Sequence, residues 1–429
     1  MKNLYLVFLI ISVLVSACKP KSERKMEQVN EEQKEKEHTA DTVMTTVGQL
    51  ILAAPYATES VNNSNGMADW PPNTMPKPPE GFIVTKYADG FDNPRWSYFA
   101  PNGDLFVSES NKGIGKGKIT ILRDTNNDGE FEVRDTFLDG LDKPFGMLVI
   151  GNTFYVANTD GLYKYPYKTG QTSLKDVEGT KIVELPAGGY NNHWTRNIIT
   201  NEAQDKIYIS VGSGSNVGEH GMENEVRRAA ILVVNLDGSN EQIYASGLRN
   251  PVGMDWNPAN DELWTAVNER DELGDGLVPD YATSVKEGGF YGWPYAYFGP
   301  IEDPRWTGKA PEMVKKTVVP DVPLGNHTAS LGFTFYDANS FPEKYRNGAF
   351  VGQHGSWNSS TLTGYKVVFI PFENGKPQPP EDFLTGFIAD ESTSDVYGRP
   401  VGVTVTPQGD LLVNDDAGKV LWKVVYKTQ

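Results

Sequence analysis

Asn250-Pro251-Val252-Gly253-Met254 leads into Glu262-Leu263-Trp264-Thr265-Ala266, and Arg399-Pro400-Val401-Gly402-Val403 leads into Asp410-Leu411-Leu412-Val413. Four further segments read the same way. Asn93-Pro94-Arg95-Trp96 precedes Gly103-Asp104-Leu105-Phe106-Val107, and Lys143-Pro144-Phe145-Gly146-Met147 precedes Asn152-Thr153-Phe154-Tyr155-Val156. His193-Trp194-Thr195-Arg196 precedes Lys206-Ile207-Tyr208-Ile209-Ser210, and Ala329-Ser330-Leu331-Gly332-Phe333 precedes Gly348-Ala349-Phe350-Val351-Gly352. Each has a polar residue or a substitute, proline or a substitute, an alternating apolar strand, a turn and a second strand. Such recurrence is the mark of a repeat architecture. Each interval has room for one four-stranded sheet, so the chain is expected to be all-β, a six-bladed β-propeller. The content of 43 Gly, 28 Pro, 20 Tyr and 9 Trp suits short strands and turns better than long helices. The last repeat ends near Tyr426, short of an outer partner, and Gly81 to Ala88 is expected to cover that edge.

Working outward from the repeats, the N-terminal region reads as targeting and tether. Lys2 precedes an apolar run, Leu4 to Val15, which is too short to span a bilayer of roughly 30 Å as a helix. Leu14-Val15-Ser16-Ala17-Cys18 reads as a lipobox, with 1–17 a signal peptide and Cys18 the lipidated first residue of the mature chain. The expected location is therefore outside the cytoplasm, anchored by lipid to a bacterial membrane, in the periplasm or at the cell surface. Residues 18–80 are expected to form a flexible tether ending in a Pro-rich strap, and 81–429 the propeller. Cys18 is the only cysteine, which excludes an internal disulfide and a cysteine-based zinc site. A formal net charge of −17 argues against nucleic acid as a partner.

The repeat also predicts a site. Asn93, Lys143, His193, Asn250, Ala329 and Arg399 hold one place in their repeats, so a ring would set them around one mouth. Arg95, Arg196, Arg249 and His327 stand close by in sequence, and His354 follows a predicted strand end. An acidic protein thus gathers cations at one pole, a pocket suited to a small polyanion. Asp124, Asn126 and Asp128, with Gly129 after them, have the oxygen spacing of a calcium loop; the other reading is a polar hairpin turn. The acidic run Glu269, Asp271, Glu272, Asp275 and Asp280 is either a second calcium site or a solvated loop. Gly212-Ser213-Gly214-Ser215-Asn216-Val217-Gly218 imitates a dinucleotide loop, but its third glycine is displaced and no βαβ pattern follows. No Gly-x-Ser-x-Gly elbow is present.

Several of these stretches resemble one family. Gly189-Tyr190-Asn191-Asn192-His193-Trp194-Thr195-Arg196, Ala245-Ser246-Gly247-Leu248-Arg249-Asn250-Pro251-Val252-Gly253 and Gly288-Gly289-Phe290-Tyr291-Gly292-Trp293-Pro294 are similar to the quinone-dependent glucose/sorbosone dehydrogenases. So are Val267-Asn268-Glu269-Arg270-Asp271, His354-Gly355-Ser356-Trp357-Asn358 and Gly398-Arg399-Pro400-Val401-Gly402. The resemblance implies pyrroloquinoline quinone (PQQ), a tricarboxylate, held with Ca2+ over the propeller mouth, and a small-molecule sugar or aldose as substrate. It implies His193 as the base that takes the hydroxyl proton while hydride leaves the same carbon for the quinone. It also implies quinone binding by Arg249, Asn250 and Arg399. With the neighbouring cations, the expected cofactor-binding set is Arg95, Arg196, Arg249, Asn250, His327, His354 and Arg399. Asn268 and Glu269 are the expected calcium ligands at the site. Three departures from the glucose-oxidising branch favour the sorbosone-like one: Asn192 precedes the His where that branch has an acid, Ser213 replaces an expected Asp, and Asn268-Glu269-Arg270 replaces a Gly-Pro loop. Two other functions fit the fold: a calcium-dependent lactonase, whose axis would be lined by carboxylates and Asn, and a non-catalytic propeller that binds carbohydrate or a partner.

Overall fold

The computed structural model describes residues 39–427, apart from 111–114 and 127. The predicted signal peptide, Cys18 and the first part of the predicted tether lie outside the described residues. The described chain is nearly all-β, as the turn-rich sequence predicts, and holds six antiparallel four-stranded sheets in succession. Their first strands are Pro94–Phe99, Met147–Ile150, Ile198–Thr200, Pro251–Trp256, Ser330–Phe335 and Pro400–Val405. Their second strands are Leu105–Glu109, Thr153–Asn158, Lys206–Val211, Leu263–Val267, Ala349–Gln353 and Leu411–Asp415. These are the strands that the repeat locates.

The second strands lie between neighbouring sheets, which is why they read as continuous apolar runs: Leu105–Glu109, Leu263–Val267 and Ala349–Gln353 are buried throughout. One apolar cluster joins the first sheet to the second through Phe106, Phe137, Met147 and Phe154. Others join the second to the third, the third to the fourth, the fourth to the fifth, the fifth to the sixth, and the sixth back to the first. At the centre, Phe145, Val252, Leu331 and Val401 pack together with Trp96. Four of these five directly follow the proline or its substitute in the repeat. The glycine one place later lets first strands approach: a Cβ on Gly253 would lie 2.2 Å from the Phe333 nitrogen, and on Gly332 2.0 Å from the Val401 oxygen.

The fourth strand of the sixth sheet comes from the other end of the chain. Phe82–Asp89 pairs antiparallel with Val420–Tyr426, in a register that sets Val84 opposite Val424. Phe82, Val84 and Ala88 are buried while Ile83 and Thr85 are exposed, the alternation of a strand with one covered face.

Order extends further toward the N-terminus than the boundary expected near Gly81. Asp41–Thr45 and Gly48–Leu52 form a hairpin whose Val43 and Leu52 are buried with Leu273, Val278 and Tyr281 of the fourth sheet's region. Gly66–Met67 adds in parallel to Asp395–Val396, and Trp70 stacks on Tyr397 at 4.7 Å between ring centroids. Val43 and Leu52 are buried and Trp70 is partly buried, each against residues distant in sequence, which the local composition does not reveal. The Pro-rich part has no helix, in keeping with its proline content.

Candidate active site

The same backbone bond recurs at one end of four of the six sheets. The residue after the second strand donates to a carbonyl just before the first: Ser110 N to Asn93 O, Thr159 N to Asp142 O, Asn268 N to Asn250 O, and His354 N to Ala329 O. Asn93, Lys143 and Ala329 hold positive φ at this turn, at 70°, 48° and 49°. In these four repeats a residue before the first strand and one after the second therefore stand together at the same end of the sheet.

His193 is buried, and its Nδ1 lies 2.9 Å from both the carbonyl oxygen and the hydroxyl oxygen of Ser213. A carbonyl only accepts, and the Ser213 hydroxyl donates to Ser215 O at 2.6 Å. Nδ1 must therefore carry the proton, which leaves a lone pair at Nε2. Nε2 has no hydrogen-bond partner among the described residues. Burial, then the positive charge of Arg249, pushes the His193 pKa down to about 3, so the ring is neutral near pH 7.

Arg249 is completely buried and directs its donors into the protein. Nε reaches Asn216 O at 3.1 Å, one terminal nitrogen reaches the Asn268 and Glu269 carbonyls, and the other reaches Asn216 Oδ1 at 2.8 Å and Asp271 Oδ2 at 2.9 Å. Asp271 Oδ1 accepts from Asn358 Nδ2 at 2.7 Å and lies 3.7 Å from His327 Nδ1. Burial alone would raise the Asp271 carboxyl; Arg249, then His327 and Asn358, hold it well below the usual carboxylate range. His327 donates from Nε2 to Gly274 O at 3.0 Å, and its Nδ1 lies 3.2 Å from Asn358 Nδ2. Both of its nitrogens are engaged. Arg196 is likewise buried, on the carbonyls of His193, Thr195 and Pro186. Arg196 and Arg249 were expected to face a ligand; they instead hold the backbone and one carboxylate around His193.

A second cluster joins the fifth, sixth and first sheets. Asp416 accepts from His354 Nε2 at 2.9 Å and pairs with Arg95 Nε at 2.9 Å. Burial, then Arg399, pushes the His354 pKa down to about 4, while His354 and Arg95 hold Asp416 below the usual range against its burial. Arg95 also lies over the Trp194 ring at 5.0 Å, with the Lys143 nitrogen at 5.9 Å, so the residue beside His193 links the two clusters. Arg399 donates from Nε to His354 O and from one terminal nitrogen to Gly355 O, and lies over Tyr365 at 5.5 Å. Its other terminal nitrogen has no hydrogen bond among the described residues. The sequence reading missed Asp416, Asn358 and Asn216. Asp416 follows a second strand as His354 and Asn268 do, so the repeat carried its signal.

Two groups bear on cations. Among the described residues Glu269 is buried without an ion pair; its Oε2 accepts from Arg270 N at 3.0 Å, and burial pushes its pKa up to about 7. Beside it, Asn268 Nδ2 leans on Asp280 at 3.3 Å, and the buried Asn250 Oδ1 has no hydrogen-bond partner among the described residues. A buried acid and an orphaned amide oxygen fit a hard cation. Elsewhere, oxygens of Asp124, Asp128 and Glu132 lie within 4.8 Å of one another. Asn126 links them, donating to Glu132 Oε1 and accepting from Asp128 N. This loop joins Gly117–Arg123 to Val133–Leu141. Antiparallel order puts it at the end of its sheet opposite the mouth, away from His193.

A family model described as TrAA12-like matches residues 76–281 and 309–427. An uncharacterized protein of Borreliella burgdorferi is 30% identical over 365 residues, covering 82% of this chain and 91% of the relative. A pyrroloquinoline quinone-dependent sugar dehydrogenase of Hypocrea jecorina is 22% identical over 390 residues, covering 80% and 88%. Among solved structures, the calcium structure of a Trichoderma reesei carbohydrate-active enzyme of family AA12 aligns with a TM-score of 0.66 at 19% identity, covering 82% of this chain and 97% of that one. The chain therefore belongs to the TrAA12-like family, a family of PQQ-dependent sugar dehydrogenases.

Proposed function

We propose that this chain is an exported, lipid-anchored oxidoreductase that oxidises a sugar or aldose with PQQ and Ca2+, and that its six sheets are the blades of a closed six-bladed propeller. The observation that carries the reading is His193: a buried, neutral imidazole, fixed by the Ser213 carbonyl in the tautomer that leaves Nε2 free to take a proton. PQQ, when bound with calcium, supplies a hydride acceptor for the sugar carbon. The protein's part is to hold the sugar hydroxyl against Nε2, to keep the imidazole uncharged before that transfer, and to steady the imidazolium after it. Asp271 lies in the same network through Arg249 and offers negative charge for that last task.

The trianion needs cations whose donors are not already engaged. Arg399 and Arg95 keep terminal nitrogens without hydrogen-bond partners among the described residues, Lys143 has a loose 3.8 Å contact with Asp142 and lies over Trp194, and His354 adjoins Arg399, whose Nε donates to its carbonyl. Arg95, Arg399 and Lys143 are thus the groups that would meet its carboxylates, with Asn250 as a polar contact. Arg196 and Arg249 act behind them. Glu269 and Asn268 would hold the catalytic calcium, and Asp124, Asn126 and Asp128, with Glu132, a structural one. Cys18 would carry the lipid that keeps the enzyme at its membrane.

The test is reconstitution. The purified full chain is titrated with PQQ in the presence of calcium, then given an electron-accepting dye and a panel of aldoses. Saturable quinone binding with sugar-dependent dye reduction is expected; a chain that binds no quinone at micromolar concentration contradicts the proposal.

A further inference from the structure

The glycine-rich run Gly212 to Gly218, which in sequence imitates an anion-binding loop, takes its anions from the chain itself. Gly214 N donates to Glu225 Oε2 at 2.7 Å and Ser215 N to Glu225 Oε1 at 2.9 Å, and the Ser215 hydroxyl donates to the same Oε1. Asn216 N and Val217 N donate to the two carboxylate oxygens of Glu219 at 3.0 Å and 2.7 Å. Four consecutive main-chain N–H groups thus meet two carboxylates, as such nests meet a phosphate. Glu225 is buried and follows the short helical turn Met222–Asn224.

One of these bonds bears on His193. The Ser213–Gly214 peptide is trans, so its plane carries the Ser213 carbonyl on one side and the Gly214 N–H on the other, pointing in opposite directions. The carbonyl lies 2.9 Å from His193 Nδ1, and Glu225 holds the N–H. Glycine takes either sign of φ, so Gly214 offers little resistance to a half-turn of this plane. Turned over, the plane would present Gly214 N–H to Nδ1. Nδ1 would then have to accept, and the ring proton would sit on Nε2. The lone pair at Nε2 therefore depends on which way one peptide faces, and Glu225 is the side chain that grips it. Hydrogen bonds to a carboxylate are roughly twice as strong as neutral ones, which suits that task.

We propose that Glu225 is a positioning residue that fixes the tautomer of His193 through the Ser213–Gly214 peptide. Its consequence for catalysis rests on the dehydrogenase reading, in which Nε2 takes the sugar proton; the tautomer itself is a property of the quinone-free chain.

The test is nitrogen NMR of the full chain labelled with 15N-histidine, without quinone, on wild type, Glu225→Gln and Glu225→Leu, the His193 signals being assigned by their loss in His193→Ala. Wild type is expected to carry the His193 proton on Nδ1. Glu225→Leu leaves both N–H groups without their acceptor and should raise the ratio of the Nε2–H to the Nδ1–H form roughly tenfold or more. Glu225→Gln keeps one acceptor oxygen without the charge and should raise it by a smaller factor, about twofold or more. A purely structural role would lower the denaturation midpoint of the variants and leave that ratio alone. In the reconstituted enzyme the single-turnover rate should fall in the same order, with sugar affinity within about threefold of wild type. A wild-type His193 protonated at Nε2, or an unchanged ratio in either folded variant, overturns the inference; Glu225→Gln decides alone if Glu225→Leu does not fold. Failure to bind quinone would remove the dehydrogenase reading, while the tautomer ratios would still decide the role of Glu225.

Discussion

The Ser213 carbonyl oxygen lies 2.9 Å from His193 Nδ1, and the Ser213 hydroxyl lies at the same distance. Only the carbonyl is indispensable to the tautomer, because a main-chain acceptor survives any side-chain change. Ser213→Ala should therefore keep sugar-dependent quinone reduction within roughly threefold of wild type, as one neutral hydrogen bond is worth only about 1 kcal/mol and the carbonyl remains. Steady-state rates of the reconstituted variant check this, and a loss beyond a hundredfold would assign the hydroxyl a direct part in the proton transfer.

Arg249 and Asp271 make a buried pair at 2.9 Å whose partners belong to the loops around His193. Arg249→Ala leaves the Asp271 carboxylate without its main counter-charge, and breaking such a pair costs about 3–5 kcal/mol. Urea denaturation at pH 7 should show a loss of about 3 kcal/mol, partly restored in Arg249→Ala/Asp271→Asn. A variant as stable as wild type would mean that the pair does not form in solution.

Histidine titration follows from the same packing. His193 and His354 have pKa values pushed to about 3 and about 4, while that of His327 is raised above its ordinary 6.5 by Asp271 and the Gly274 carbonyl against its burial. Between those depressed values and 6.5 the unfolded chain binds protons that the folded chain does not. His193 and His354 therefore make stability fall as pH drops from about 6.5 toward 4, and have no such effect above 6.5. His327 works oppositely: its contribution is full below 6.5 and is lost as pH rises through its raised pKa. Glu269 and Asp415, pushed up to about 7 and about 6, also favour the lower pH, so a melting curve mixes the signs. Imidazole NMR of the quinone-free chain keeps them apart. Two ring signals should stay neutral down to pH 5 and one should remain protonated above pH 6.5; His193 titrating near 6.5 would contradict its burial.

Asn63 ties the strap to the mouth loops. Its amide nitrogen donates to Trp357 O at 2.7 Å, its side chain donates to Ser359 O at 3.0 Å, and it accepts from Ser394 Oγ at 2.6 Å. Asn63→Ala removes the two side-chain bonds and should loosen residues 357–360, which carry Asn358, by about 1–2 kcal/mol of local stability. Hydrogen exchange should quicken there by roughly tenfold while the six sheets keep their protection. Unchanged exchange in the loop would show that the strap does not brace the site.

The repeat made most of the fold legible, because the same short pattern before each first strand is also the packing contact at the centre: Val252, Leu331 and Val401 meet one another, and Gly253 and Gly332 admit their neighbours. The same pattern gives His193, Arg399 and Asn250 equivalent places in their repeats. It could not tell which cations face outward, since Arg196 and Arg249 occupy mouth positions yet turn their guanidinium groups onto carbonyls and Asp271. That choice depends on acceptors outside the repeat motif, such as Pro186 O for Arg196 and Asn216 Oδ1 for Arg249. The N-terminal hairpin was hidden for a related reason: the burial of Val43 and Leu52 depends on partners distant in the chain, such as Leu273, Val278 and Tyr281.

The account turns on His193 as the base, and His354 is its rival, since a bond from Nε2 to Asp416 leaves its Nδ1 without a partner among the described residues. The deciding measurement is the single-turnover rate at which sugar bleaches the absorbance of bound PQQ in wild type, His193→Ala and His354→Ala, each loaded to saturation with quinone and calcium. The account predicts that His193→Ala binds quinone but is reduced about 10²- to 10⁴-fold more slowly, with His354→Ala much less affected. Reduction of His193→Ala at the wild-type rate would contradict it.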